Sequence, residues 1–260
     1  MPMIEADGCM LNVSVDGRDG GPTLMLSNPL GTTLQIWEPQ MAALTRFFRV
    51  IRYDRRGHGK SGTPPGPYSI EDFGRDALAI LDDLNIARTH WGGLSIGGAV
   101  GQWIAANAPE RIDQLVLANT TCHVPDPAPW EARIKTVTEK GLGAIADGVM
   151  AGWFTEEFRE REPQTVSRIR TMLTSNPVAG YAASCGALIG LDLREALPRI
   201  QARTLVMAGR YDTSSPLQMA ATIRAGIPGA SLTILDAAHV SNVEAPYGFN
   251  EAVTGFLTQR

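Results

Sequence analysis

Short runs rich in valine, leucine and isoleucine alternate along the chain with longer stretches whose apolar residues recur every three or four positions. The first kind reads as buried strand and the second as amphipathic helix. Residues 9–15 and 23–27 are strand-like, parted by the turn-rich Asp16-Gly17-Arg18-Asp19-Gly20-Gly21. Residues 37–44 read as a helix, 48–53 as a strand, and 54–67 as a Gly/Pro-rich loop. Ser69 and Asp72 form a capping-box-like start for a helix whose stripe is Phe73, Ala77, Ile80, Leu81 and Leu84. Residues 88–94 form a short buried strand, 99–106 a helix and 114–118 another strand. Residues 203–208 and 231–235 resume the rhythm, each followed by a helix. Such alternation predicts an α/β fold, a mainly parallel sheet flanked by helices on both faces.

Residues 121–190 break that rhythm. They hold no convincing strand but several helical runs, at 130–140, 142–154, 164–174 and 178–189. An insertion of this kind after a core strand is expected to form a helical cap over the strand ends, where open α/β sheets bind ligands. The expected division is a core of residues 1–120 and 191–260 with the cap inserted at 121–190.

Composition narrows the class. Of 260 residues, 44% are hydrophobic and 19% charged, which suits one large core or a core with an insertion. The net charge is −4 and no Lys/Arg stripe forms, so nucleic acid is not an expected partner. Cys9, Cys122 and Cys185 are odd in number, far apart and without metal-ligand spacing, as expected of reduced thiols. The first eight residues are acidic and carry no apolar run, so no signal peptide is expected, and no stretch of about 20 apolar residues could span a membrane. These features predict a cytoplasmic protein. They leave its oligomeric state open.

The chemistry centres on Gly93-Leu94-Ser95-Ile96-Gly97, which joins a strand to a helix. A serine on so sharp a turn has its Oγ pushed clear of the sheet, and the flanking glycines remove side chains that would clash. A nucleophilic serine needs a base, and the base an orienting acid, which follow such an elbow in the order acid then histidine. Of His58, His90, His123 and His239, only His239 lies in a loop beyond a strand-end acid downstream of Ser95. That acid is Asp212, after the penultimate strand. The other usual place for it holds Asn119, Thr120 and Thr121, none acidic, and Asp236 reads as a strand-end cap. His58 is expected to pack beneath the site and His90 inside the sheet. Cys122-His123 has no elbow and is rejected as a thiol nucleophile. For the oxyanion hole, the expected donors are the Ile96 N–H and, in the loop Ser27-Asn28-Pro29-Leu30-Gly31-Thr32, the Leu30 N–H, since Pro29 cannot donate.

Together with Trp37-Glu38-Pro39-Gln40, Tyr53-Asp54-Arg55-Arg56-Gly57-His58-Gly59-Lys60-Ser61 and Gly209-Arg210-Tyr211-Asp212, these motifs resemble the α/β-hydrolase superfamily. The elbow and the Asp-x-Arg-Gly-x-Gly loop occur superfamily-wide. The Asn-x-Leu-Gly-Thr loop, and Gly-Leu-Ser where Gly-His-Ser is commoner, make the chain similar to the 3-oxoadipate enol-lactonases of bacterial aromatic catabolism. Pro29 stands where a small polar residue is usual, and little of the cap matches. Some relatives carry a fused carboxymuconolactone decarboxylase domain, an activity not expected of this chain.

The resemblance implies a Ser95–His239–Asp212 acyl-enzyme mechanism on 3-oxoadipate enol-lactone, with no metal or organic cofactor. Its substrate would be a small anionic lactone. A cation must then meet the carboxylate, and Arg133, three residues after Trp130 at the start of a cap helix, is the expected one. Lys140, before Gly141, is explained by helix C-terminal charge compensation. A carboxylesterase, a C–C bond hydrolase, a cofactor-free perhydrolase or a non-turnover ligand receptor would keep the same triad.

Overall fold

A computed structural model describes residues 2–259. Met1 and Arg260, the outer ends of the expected core, lie outside the described residues. Eight strands form one sheet: β1 (Met3–Ala6), β2 (Cys9–Gly17), β3 (Thr23–Ser27), β4 (Arg49–Tyr53), β5 (Thr89–Leu94), β6 (Ile112–Ala118), β7 (Arg203–Gly209) and β8 (Ser231–Leu235). Their order is β1-β2-β4-β3-β5-β6-β7-β8. The β1–β2 and β2–β4 pairings are antiparallel, and all pairings from β4 to β8 are parallel. The expected α/β class is what the chain adopts.

The inner strands are mostly buried, β5 at every residue, and the C-terminal halves of β6 and β7 read as the apolar runs 115–118 and 205–208. β1 was not expected. It is held to β2 by Asp7 and Gly8, both at positive φ (46° and 74°), as a two-residue hairpin of matching twist requires. On the faces lie α1 (Glu38–Leu44), α2 (Ile70–Asp83) and α3 (Ile96–Asn107). The capping box at the start of α2 is present in both directions between Ser69 and Asp72. α3 is apolar nearly all round, as suits a helix buried under the sheet.

Between β6 and β7 the chain forms only helices: α4 (Ala128–Lys140), α5 (Gly143–Trp153), α6 (Glu156–Arg161), α7 (Pro163–Thr174) and α8 (Val178–Gly186). α6 escaped the periodicity because six residues are too few to display it, although Thr155 caps it through the Phe158 N–H. α8 stops at Gly186, three residues before the expected end. The two ends of the insertion are tied together. Val124 donates to Leu191, Leu193 donates to Cys122, and His123 bridges Asp192. The chain closes with α9 (Leu217–Gly226), α10 (Ser241–Glu244) and α11 (Pro246–Thr258). No helix among the described residues is long and apolar enough to cross a membrane.

β3 pairs with β4 on one side and β5 on the other, so the strand order reverses there and a crevice opens beyond their C-terminal ends. The loop that follows β4 is anchored by a buried ion pair, Arg56 with both oxygens of Asp76 on α2, at 2.6 and 2.7 Å. Asp76→Asn strands the Arg56 charge in the interior and is expected to cost about 3–5 kcal/mol. The denaturant midpoint at unchanged slope measures this. A loss under about 1 kcal/mol would show that the pair does not anchor the loop.

Candidate active site

Ser95 occupies the turn from β5 into α3 at φ 57°, ψ −124°, a left-handed conformation rare for a residue with a side chain. The turn exists because its neighbours are glycines. A Cβ on Gly93 would run into the Gly97 carbonyl, and one on Gly97 into the Ser27 carbonyl. The Ser95 N–H donates to Ala118 O at 2.9 Å, which fixes the elbow to β6. No side-chain bond of Ser95 caps α3.

His239 and Asp212 meet as the chain order implied. Nδ1 of His239 is 2.9 Å from Oδ2 of Asp212, and both side chains are buried. Asp212 is surrounded by donors. Its Oδ1 accepts the Ser214 and Ser215 N–H groups at 2.8 and 2.9 Å, and its Oδ2 accepts Ser215 Oγ and Asn119 Nδ2 at 2.8 and 3.0 Å. Burial pulls its pKa up, but the facing His239 and these donors outweigh it, so the net shift is downward. The carboxylate is thus held ionised. Because it accepts at Nδ1, it leaves Nε2 of His239 unprotonated in the neutral ring, the arrangement a general base needs.

Leu30 and Ile96 line the same cavity as Ser95 and His239. Neither N–H donates to any other described residue. The Leu30 loop is pinned from several sides. Asn28 Nδ2 donates to Tyr53 O, Trp37 Nε1 to Asn28 Oδ1, Arg55 to Asn28 O, and Asn176 Nδ2 to Gly31 O. The cavity has a volume of about 160 Å³, room for a small ring. Trp130, Trp153, Leu188 and Met219 are among its apolar walls. Arg133 is the one Lys, Arg, Asp or Glu among the described residues lining it. Its guanidinium lies 5.0 Å from the Trp130 ring centroid, and it forms no ion pair among the described residues.

Comparison with known proteins shows which family shares this fold. Residues 22–137 match the family described as alpha/beta hydrolase fold. The chain is 40% identical to 3-oxoadipate enol-lactonase 2 of Acinetobacter baylyi, over 98% of this chain and 95% of that one. The crystal structure of the enol-lactonase from Burkholderia xenovorans superposes with a TM-score of 0.98 at 39% identity, over 99% of this chain and 100% of that one. A hydrolase from Pseudomonas aeruginosa superposes at 0.96 with 45% identity, over 99% and 97%. The chain belongs to the α/β-hydrolase family.

The remaining side chains of this hydrolase serve its framework. His58 is fully buried and its Nε2 accepts the Gly31 N–H at 2.9 Å, directly beneath the loop that carries Leu30. Burial and the neighbouring Arg55 charge drive its pKa down to about 3, so it stays neutral and can accept. His90 is buried in β5 with its ring edge-on to Phe48. The thiol of Cys122 is buried and its pKa is raised by that burial, which removes its nucleophilic form. Asp236 does not cap its strand end; it is exposed and pairs with Arg210 at 2.6 Å.

Three functional neighbours had not been foreseen in the hydrolase sequence: Asn119, Ser215 and Glu244. Asn119 carries no mark in the sequence beyond not being acidic, yet its Nδ2 donates to Asp212 Oδ2. Ser215 lies three residues after the acid, the one available signal, since short polar side chains at that spacing form local turns. Glu244 has no sequence signal. It accepts the Ala238 N–H at 2.7 Å and the Thr155 backbone and hydroxyl groups, so it ties the His239 loop to the start of α6.

Proposed function

We propose that this hydrolase opens 3-oxoadipate enol-lactone to 3-oxoadipate through a serine acyl-enzyme. One observation carries the choice. A small, mostly apolar cavity beside the Asp212 carboxylate and its hydrogen-bonded His239 is lined by one cation among the described residues, Arg133, which has no acidic partner there and suits a small anionic ester. The relatives named enol-lactonase support the reading.

In this mechanism Ser95 Oγ attacks the ring carbonyl as His239 Nε2 takes its proton. Leu30 and Ile96 N–H groups hold the oxyanion, and Asp212 stabilises the imidazolium. The ring C–O bond breaks, His239 returns the proton to the leaving enol oxygen, and the enol tautomerises to the ketone, which opposes re-closure. Water, deprotonated by His239, then releases 3-oxoadipate. Helices α4–α8 serve as a cap, with Trp130 forming a wall and Arg133 binding the acetate arm. Buried free thiols at Cys9, Cys122 and Cys185 and the charge pattern support work in the cytoplasm on a small-molecule partner, with neither nucleic acid nor membrane involved.

Steady-state rates on the enol-lactone, a neutral p-nitrophenyl ester and a peracid assay, each corrected for spontaneous hydrolysis, test the proposal. Arg133→Ala is expected to weaken kcat/KM on the lactone by about 1.5–3 kcal/mol, roughly 10- to 150-fold, and barely change the neutral ester. Equal losses on both would remove Arg133 from carboxylate binding. Slow single-turnover acylation of the lactone without sustained turnover would overturn the lactonase reading.

A further inference from the structure

An amide N–H donates more strongly when the carbonyl of its own peptide unit accepts hydrogen bonds, because peptide resonance then shifts charge from nitrogen to oxygen. The Leu30 N–H shares its peptide with the Pro29 carbonyl. The Ile96 N–H shares its peptide with the Ser95 carbonyl. Each of these carbonyls accepts a threonine hydroxyl. Thr32 Oγ1 is 2.9 Å from Pro29 O, and Thr120 Oγ1 is 2.6 Å from Ser95 O. Backbone donors reinforce both, the Thr32 N–H at 3.3 Å on Pro29 and the Gly98 N–H at 2.8 Å on Ser95.

The two threonines arrive from unrelated parts of the fold. Thr32 lies in the loop after β3, fully buried, and Pro29 O is the one acceptor its hydroxyl has among the described residues. Thr120 follows β6, one strand away from the elbow, and its side chain packs against Gly98 so closely that a Cβ there would meet it at 2.7 Å. The Thr121 carbonyl, 3.5 Å from the same hydroxyl, is too far to compete. Each hydroxyl also fixes the plane of its peptide, and with it the direction in which the opposite N–H points.

Resting on the reading of Leu30 and Ile96 as the oxyanion donors, we infer that Thr32 and Thr120 are paired positioning residues that polarise and aim those two N–H groups. Losing an oxyanion donor outright costs on the order of 10²–10³ in kcat. A hydroxyl that strengthens its donor by about a tenth to a third accounts for a corresponding share. Thr32→Val and Thr120→Val are therefore each expected to lower kcat roughly two- to eightfold with KM nearly unchanged, and the double variant to multiply the losses.

A merely structural role would not reproduce two further readouts. Thr→Ser at either position restores the hydroxyl and most of kcat. The Ki of an alkylboronic acid, which forms an anionic tetrahedral adduct on Ser95, rises in step with the loss of kcat, while the Ki of the product 3-oxoadipate, which places no tetrahedral oxyanion there, does not move. Where a valine variant does not fold, Thr→Ala set against Thr→Ser isolates the hydroxyl. Wild-type kcat in both valine variants, equal losses in valine and serine variants, or a change confined to KM would each overturn the inference. Ser95→Ala, assayed alongside, separates the two levels. Activity in that variant would sink the acyl-enzyme reading itself, whereas an inactive Ser95→Ala with fully active threonine variants would sink only this inference.

Discussion

Ser95→Ala is expected to lower kcat by on the order of 10⁴- to 10⁶-fold while the protein folds as before. The size follows from the role: without Oγ there is no acyl-enzyme, and only the oxyanion donors and binding remain. The intact fold follows from the geometry. The backbone of Ser95 is held by Ala118, Gly98 and Thr120, and its side chain caps nothing. The same site yields a stability test. At φ 57° the Cβ, not the hydroxyl, carries the backbone strain. Ser95→Ala keeps that strain and Ser95→Gly releases it. The glycine variant is thus expected to be the more stable of the two inactive proteins by about 1 kcal/mol, after its larger unfolded-state entropy is counted. Thermal midpoints compare them. Near-wild-type turnover in Ser95→Ala would end the nucleophile assignment, and a glycine variant less stable than alanine would show that the elbow is not strained.

The parallel core was legible because burial on both faces leaves a plain signature. β6 and β7 hold the apolar runs 115–118 and 205–208, and the amphipathic stripe of α2 with its Ser69–Asp72 box marks a helix start. β1 was not legible in that way. Its four residues alternate between exposed and buried, too few to establish a period, and the informative signal was the Asp7-Gly8 pair, whose shared left-handed backbone makes a hairpin. Within the insertion the longer helices were readable and α6 was not, for the same reason of length.

The candidate site was legible to the extent that its residues are tied to backbone geometry. Ser95 needs glycines beside it, and Asp212 and His239 follow strand ends, so position alone singles them out. The groups that hold Asp212 and His239 in place carry no such mark. Asn119, Ser215 and Glu244 come from three separate places along the chain, and each acts through a contact that only folding creates. Thr32 and Thr120 are of the same kind. Their hydroxyls act on carbonyls whose importance comes from the N–H at the other end of the peptide.

Asp212→Asn is expected to lower kcat by on the order of 10³- to 10⁴-fold, because an amide can turn its NH₂ toward the imidazole and favour the wrong tautomer. It is also expected to destabilise the fold. Five donors converge on the carboxylate: two backbone N–H groups, Ser215 Oγ, Asn119 Nδ2 and His239 Nδ1. An asparagine presents one acceptor oxygen and two donors to the same shell, leaving buried donors unpaired at about 1–3 kcal/mol. The pH dependence has a definite sign. Asp212 titrates below its ordinary value of 3.8 in the folded protein, so its contribution to stability is full above that value and is lost as the pH falls through the folded one. The stability gap between wild type and Asp212→Asn should therefore narrow in acid and stay constant near neutrality, as unfolding series at several pH values would show. A carboxylate returned at the end of β6 tests the role itself. Asn119 already sits 3.0 Å from Asp212 Oδ2 with φ 46°, a conformation aspartate tolerates as well as asparagine. Asn119→Asp in the Asp212→Asn background puts a negative charge back beside position 212, the hydrogen-bond partner of His239, and should recover roughly tenfold of the lost kcat. Recovery would show that His239 needs an anion near Nδ1 and accepts it from either strand end. If the double variant were no better than Asp212→Asn, the exact placement of the carboxylate, and not its charge, would be what His239 requires.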